Sequence, residues 1–116
     1  MIDRLRRSAD VQRVLRRGRS RAGDLLALHV LPGPDEDGKG VRLTVVASRR
    51  VGGAVRRNRA KRLLREAARV QSWRPGVDVV LVARAACAQS DLHRVSDELS
   101  RLAGKLDAVA TVEVGR

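Results

Sequence analysis

Nine arginines and lysines stand between residues 49 and 69: Arg49, Arg50, Arg56, Arg57, Arg59, Lys61, Arg62, Arg65 and Arg69. One acid, Glu66, accompanies them, so 21 residues carry a net charge of +8. A guanidinium presents several N–H donors in a fixed plane, and a row of them suits the repeated phosphates of a nucleic acid. A merely solvated helix gains by interleaving glutamates, because like charges at (i, i+4) cost roughly a few tenths of a kcal/mol per pair. The spacing therefore favours polyanion binding over a solvated charged face. Asn58, between Arg57 and Arg59, has two readings. It is either a neutral hydrogen-bonding group on the contact face or a tie to the backbone near a helix start.

Groups for acid–base or nucleophilic chemistry are sparse. His29 and His93 have no carboxylate partner recognisable by spacing, so each reads as surface or half-buried filler rather than a general base. Cys87 follows an apolar run and reads as a small buried residue. No Cys/His set has metal-ligand spacing, and no GxxxxGK[ST] loop occurs. Asp35-Glu36-Asp37 fits a solvated turn better than a cation site. Trp73, the one aromatic, precedes Arg74-Pro75-Gly76 and reads as a plug at the core edge. With no Phe or Tyr, stacking of bases on aromatic rings is disfavoured. The residues thus predict a binding domain with no catalytic constellation and no protein-bound metal or cofactor.

The basic residues need a helix to align them. Gly52-Gly53 break the chain, and a helix over about 54–70 follows, with Ala60, Leu63, Leu64 and Ala67 as its buried stripe. Asn58, Lys61, Arg62, Arg65 and Arg69 fall within about 100° on the opposite side, while Arg56 and Arg57 occupy the first turn. Ser8 is a candidate N-cap for a first helix over about 9–17 that stops at Gly18. Val11, Val14 and Leu15 give its apolar face, and Arg13, Arg16 and Arg17 its basic one. Strands are expected at 24–31, 41–48 and 77–84, the first two joined by the polar turn at 32–40 and running antiparallel. In the second, Val41, Leu43, Val45 and Ala47 alternate with Arg42, Thr44, Val46 and Ser48. Ser90 is the expected cap of a last helix with Leu92, Val95, Leu99, Leu102 and Leu106 on one face. The order α-β-β-α-β-α predicts an α+β or α/β sandwich.

The whole chain bounds these readings. At 116 residues, 43% of them hydrophobic, it fits one domain over 1–116 with a modest core. The net charge is +12, and residues 1–21 add eight arginines against two aspartates, so two segments hold all the positive excess. Nucleic acid or an anionic surface is the implied partner. One cysteine permits no internal disulfide and suits a reducing cytoplasm. The N-terminus shows no apolar signal region, and the longest apolar runs fall short of the about 20 residues that span a bilayer.

At "VVASRRVGGAVRRNRAKRLLREAAR" (45–69) the chain resembles the protein subunit of bacterial ribonuclease P. The matching parts are Ser48-Arg49-Arg50, Val51-Gly52-Gly53 and the "RNR" helix start Arg57-Asn58-Arg59 followed by Lys61, Arg62 and Arg65. Residues 4–19 and 77–86 also look like the family, and the similarity covers about 4–106. The resemblance implies a small α+β sandwich with a roughly four-stranded central sheet and three helices. It also implies a ribosomal-protein-S5-domain-2-like topology with a left-handed βαβ crossover, against the right-handed rule. It further implies a noncatalytic subunit that binds ribonuclease P RNA through Arg49, Arg50, Arg56, Arg57, Asn58, Arg59, Lys61, Arg62, Arg65 and Arg69. Val11, Leu15, Arg16 and Ser48 would line a cleft for the 5′ leader of precursor tRNA. Hydrolysis would belong to the RNA and Mg²⁺, in a cytoplasmic ribonucleoprotein needing no membrane and no obligate protein partner. Two departures stand out: Val11 and Leu15 where the family often has Phe, and Gly53 where it usually has Asn. The alternatives weighed against this are another RNA-binding component, ribosomal or an assembly factor, and a stand-alone nuclease.

Overall fold

The computed structural model describes residues 2–33 and 40–109; the acidic run at 35–37 and the tail at 110–116 lie outside the described residues. The elements are β1 (Ile2–Arg4), α1 (Ser8–Arg17), β2 (Arg19–Ala22), β3 (Leu26–Pro32), β4 (Val41–Val46), α2 (Ala54–Arg69), β5 (Val77–Ala83) and α3 (Leu92–Lys105). Short 3₁₀ turns at Arg49–Val51 and Ala85–Gln89 lead into α2 and α3. The strands form one mixed sheet in the order β1-β4-β5-β3-β2. β4 runs parallel to both β1 and β5, while β3 is antiparallel to β5 and β2.

The α+β sandwich and its three helices match the expectation, with five strands rather than about four. β1 and β2 escape a pattern search because every residue in them is exposed, so no polar–apolar alternation marks them. β3 begins two residues later than expected. β3 and β4 do run in opposite directions, but they are not neighbours: β5 is inserted between them and pairs with both.

Alternation divides the sheet into two faces. Leu26, Leu28, Val30, Val41, Leu43, Val45, Val79 and Leu81 face α2 and α3, and form the main core with Ala60, Leu63, Leu64, Ala67, Val95, Leu99 and Leu102. The other face of the sheet takes α1: Val14, Leu5 and Val80 are buried there, with Val11, Leu15, Leu31, Val46 and Val82 packed around them. Trp73 closes the end of the main core and donates from Nε1 to the Ala68 carbonyl at 3.0 Å, as a plug should. Cys87 is fully buried beside the Ala60 carbonyl, and burial pushes its thiol up to about 11.

Two expected caps are corrected. Ser8 is the first helical residue of α1; Arg7 precedes it in extended conformation and gives no side-chain cap. Asp91, not Ser90, caps α3, its carboxylate accepting from the Arg94 N–H at 2.9 Å. A carboxylate suits that place because it also meets the positive end of the helix dipole. Gly18 does end α1, but for want of space: a Cβ there would lie 2.5 Å from the Val14 oxygen and 2.7 Å from the Val30 oxygen.

Two buried carboxylates hold the layers together. Asp78 on β5, 1% exposed, receives Arg42 from its cross-strand neighbour as a two-pronged pair, Nε to Oδ1 at 2.8 Å and Nη2 to Oδ2 at 2.6 Å. Arg13 of α1 lies 3.5 Å from the same carboxylate, and Asp10 of α1 lies 3.6 Å from Arg42. The hydrogen bond to Asp78 raises the Arg42 pKa, and the charge network ties α1 to the sheet. Glu98 on α3, 6% exposed, accepts three backbone N–H groups, from Asp24, Leu25 and Leu26, at 2.8–2.9 Å. It fixes the chain between β2 and β3 onto α3.

Candidate RNA interface

The segment between β4 and α2 is built to bring the basic residues to the surface. Ser48 caps the 3₁₀ turn, its hydroxyl accepting from the Arg50 N–H at 3.3 Å. Val51 is buried and anchors the turn in the core, leaving Arg49 and Arg50, the two residues before that anchor, exposed. Gly52 then adopts φ +136°, a conformation that strains any residue with a Cβ. Gly53 is the N-cap of α2 and supplies no side chain, so the first-turn N–H groups remain open beside Arg56 and Arg57.

Along α2 the apolar stripe behaves as its spacing predicts: Ala60, Leu63, Leu64 and Ala67 are buried. Outward stand Arg56, Asn58, Arg59, Arg62, Arg65 and Arg69, all exposed, with Arg57 and Lys61 half-buried at the margins. Val55, Asn58, Arg59, Lys61, Arg62 and Arg65 line a shallow open groove. Among the described residues Arg62, Arg65 and Arg69 meet no carboxylate; Arg62 and Arg65 line the groove, and Arg69 continues the exposed row one turn beyond Arg65.

Arg59 differs from its neighbours. Its Nε donates to the Ala88 carbonyl at 2.8 Å and its Nη2 to the Ser90 carbonyl at 3.0 Å. It therefore fastens α2 to the turn before α3, a tertiary role that spacing on one helix does not reveal. Asn58 makes no hydrogen bond among the described residues, which removes the backbone-tie reading and leaves it open on the groove. Val55, 84% exposed in the first turn, also escaped the sequence reading; a large apolar side chain set among arginines was the available signal.

A second concavity separates α1 from β4. Arg4, Leu5, Arg6, Ser8, Val11, Gln12, Thr44 and Val46 line it. Of the four residues expected at a cleft, only Val11 is among them. Leu15 packs into the core beneath α1, Arg16 is exposed, and the Ser48 hydroxyl is engaged in its cap. Arg6 brings positive charge to the rim, and no aromatic ring lines it.

His29 sits on the α1 face of β3, and burial lowers its pKa. His93 does have a carboxylate nearby, correcting the spacing argument: Asp97, one turn on, lies 3.3 Å from Nε2. Both side chains are open to solvent, at the surface of α3. Among the described residues no group of three or more His, Cys, Asp and Glu converges to hold a metal. Among them, too, no helix is long and apolar enough to cross a membrane.

Fold and site together define a small basic α+β protein that displays a cationic helix beside an open cleft. The chain belongs to the ribonuclease P protein family, whose sequence model, described as "Ribonuclease P", matches residues 2–107. It is 37% identical over 103 residues to the ribonuclease P protein component of Dehalococcoides mccartyi strain 195, covering 89% of this chain and 83% of that protein. With the component from Acidothermus cellulolyticus it shares 41% over 105 residues, 89% of this chain and 87% of the other. The RNase P protein of Staphylococcus aureus superposes with a TM-score of 0.77 at 23% identity, over 92% of this chain and 97% of that one, a likeness of fold. That of Thermotoga maritima gives 0.72 at 26% identity, over 85% and 93%.

Proposed function

We propose that this protein is the noncatalytic subunit of ribonuclease P, an endoribonuclease that matures the 5′ end of tRNA. It binds ribonuclease P RNA with the exposed face of α2. Arg56, Arg57 and the open N–H groups of the first turn take one phosphate, and Lys61, Arg62, Arg65 and Arg69 take others along a helix roughly 25 Å long. Arg49 and Arg50 extend the contact at the mouth of the turn, and Asn58 offers an amide to base or ribose. The cleft at Val11, with Arg6 at its rim, receives the 5′ leader of precursor tRNA through apolar packing and charge. Hydrolysis falls to the RNA and its Mg²⁺, and the protein strengthens substrate binding.

The observation that carries this reading is the row of arginines on α2 that meet no carboxylate among the described residues, in a chain of this family. Binding to ribonuclease P RNA, measured against salt, tests it. Arg62→Ala should weaken binding and lower the slope of log K against log [salt] by about one unit, as for one lost phosphate. An unaltered slope would make the basic face a bystander.

A further inference from the structure

The cationic face of α2 does not end at its groove. Between β1, β4 and the second half of α2 lies a cavity of about 400 Å³, lined by Ile2, Asp3, Arg4, Leu43, Thr44, Val45, Arg65, Ala68 and Arg69. We propose that this cavity receives one unpaired nucleotide of the bound RNA, its base against Ile2, Leu43 and Val45 and its phosphate on Arg65 and Arg69.

The cavity exists because the sheet outreaches its helical cover. β1 is the edge strand and adds one strand beyond β4, while α2 packs over β4 and β5. In register, Ile2 lies beside Val41 and Arg4 beside Leu43, which places Ile2 and Arg4 on the α2 side of the sheet. Ala68 is the helix residue facing this overhang, and its small side chain leaves the space open. The volume lies in the range of sites for small organic ligands, about 300–1,000 Å³.

Its chemistry suits a nucleotide. The floor is aliphatic, and Ile2 is one of only a few large apolar side chains exposed on the described surface. Arg65 and Arg69, one helical turn apart, and Arg4 opposite them meet no carboxylate among the described residues. Guanidinium planes offer both a phosphate contact and a stacking surface for a splayed-out base. Because Leu5 donates to the Leu43 carbonyl at 3.0 Å, alternation turns the peptide groups of Arg4 to the open edge, where a base edge can bond them.

Continuity selects RNA as the occupant. Arg65 lines this cavity and also the groove that holds Val55, Asn58 and Arg62. A strand following that groove reaches Arg65 and can turn one base inward there. The inference rests on the proposed RNA-binding role, and its test separates the two.

The full-length protein is bound to ribonuclease P RNA, and base reactivity towards a methylating reagent is read at each nucleotide. One unpaired nucleotide protected by the wild type should regain reactivity in both Ile2→Ser and Arg69→Gln, yet stay protected in Lys105→Gln, a charge change on α3 outside both the groove and the cavity. Ile2→Ser should also weaken binding about tenfold with an unchanged salt slope, since it removes base packing and no phosphate contact. A wild-type footprint and affinity for Ile2→Ser would overturn the nucleotide site and leave the α2 interface standing. Absence of any protection by the wild-type protein would overturn the interface as well.

Discussion

Three residues outside the RNA face carry more of the fold than their types suggest. Glu98 is the sole side-chain acceptor for three adjacent backbone N–H groups. Glu98→Ala strands those donors, and denaturant unfolding should show a loss of about 3 kcal/mol. Asp78 holds Arg42 and Arg13 in the layer beneath α1, so its removal leaves cations without their partner where burial is costly. His29 sets a pH dependence. Burial lowers its pKa, so the folded protein prefers the neutral ring and the unfolded chain takes up the proton first. Its contribution is therefore whole above the ordinary histidine range and is lost as pH falls through it, until the folded state also protonates. Between about pH 7.5 and about pH 5 the melting temperature should drop, and His29→Gln should remove part of that drop.

At the scale of elements, the turn before α2 decides where the charge goes. Gly52→Ala forces a Cβ into a left-handed conformation and against the Arg56 side chain, 2.7 Å away. A cost of about 1–3 kcal/mol is expected, together with weaker RNA binding as Arg56 is displaced. The same scale shows what the sequence made legible. The α2 stripe, the alternation of β4 and the apolar β5 were readable because burial on one face imposes a period on the residue types. β1 and β2 were not, since exposed edge strands are held by backbone bonds that leave no such period. The RNR resemblance, not the helical wheel, places Arg59 among the RNA ligands; its carbonyl partners 29 and 31 residues away are a tertiary fact. Glu98 was in principle visible as a lone acid inside the apolar row Val95, Leu99, Leu102, and Asp78 as a lone acid inside a β-branched strand.

For the molecule as a whole, charge opposes compactness. With a net charge of +12, repulsion should lower stability at low ionic strength. Added salt should raise the melting temperature by screening, and phosphate-bearing polyanions should raise it further by binding the native basic face. Cys87 gives an independent gauge of the same equilibrium. Buried, with its thiol pushed up to about 11, it should resist alkylation at neutral pH in the folded protein. Its modification rate should then follow global unfolding, slowing as salt or RNA is added.

The central claim is that this small basic protein assists cleavage that RNA performs. Cleavage of precursor tRNA by ribonuclease P RNA at limiting Mg²⁺, with and without the protein, tests it most directly. The protein should accelerate cleavage at the RNA's site, chiefly by lowering KM, and should cleave nothing when the RNA is omitted. Unchanged cleavage on adding the protein, or robust cleavage by the protein alone, would contradict the account.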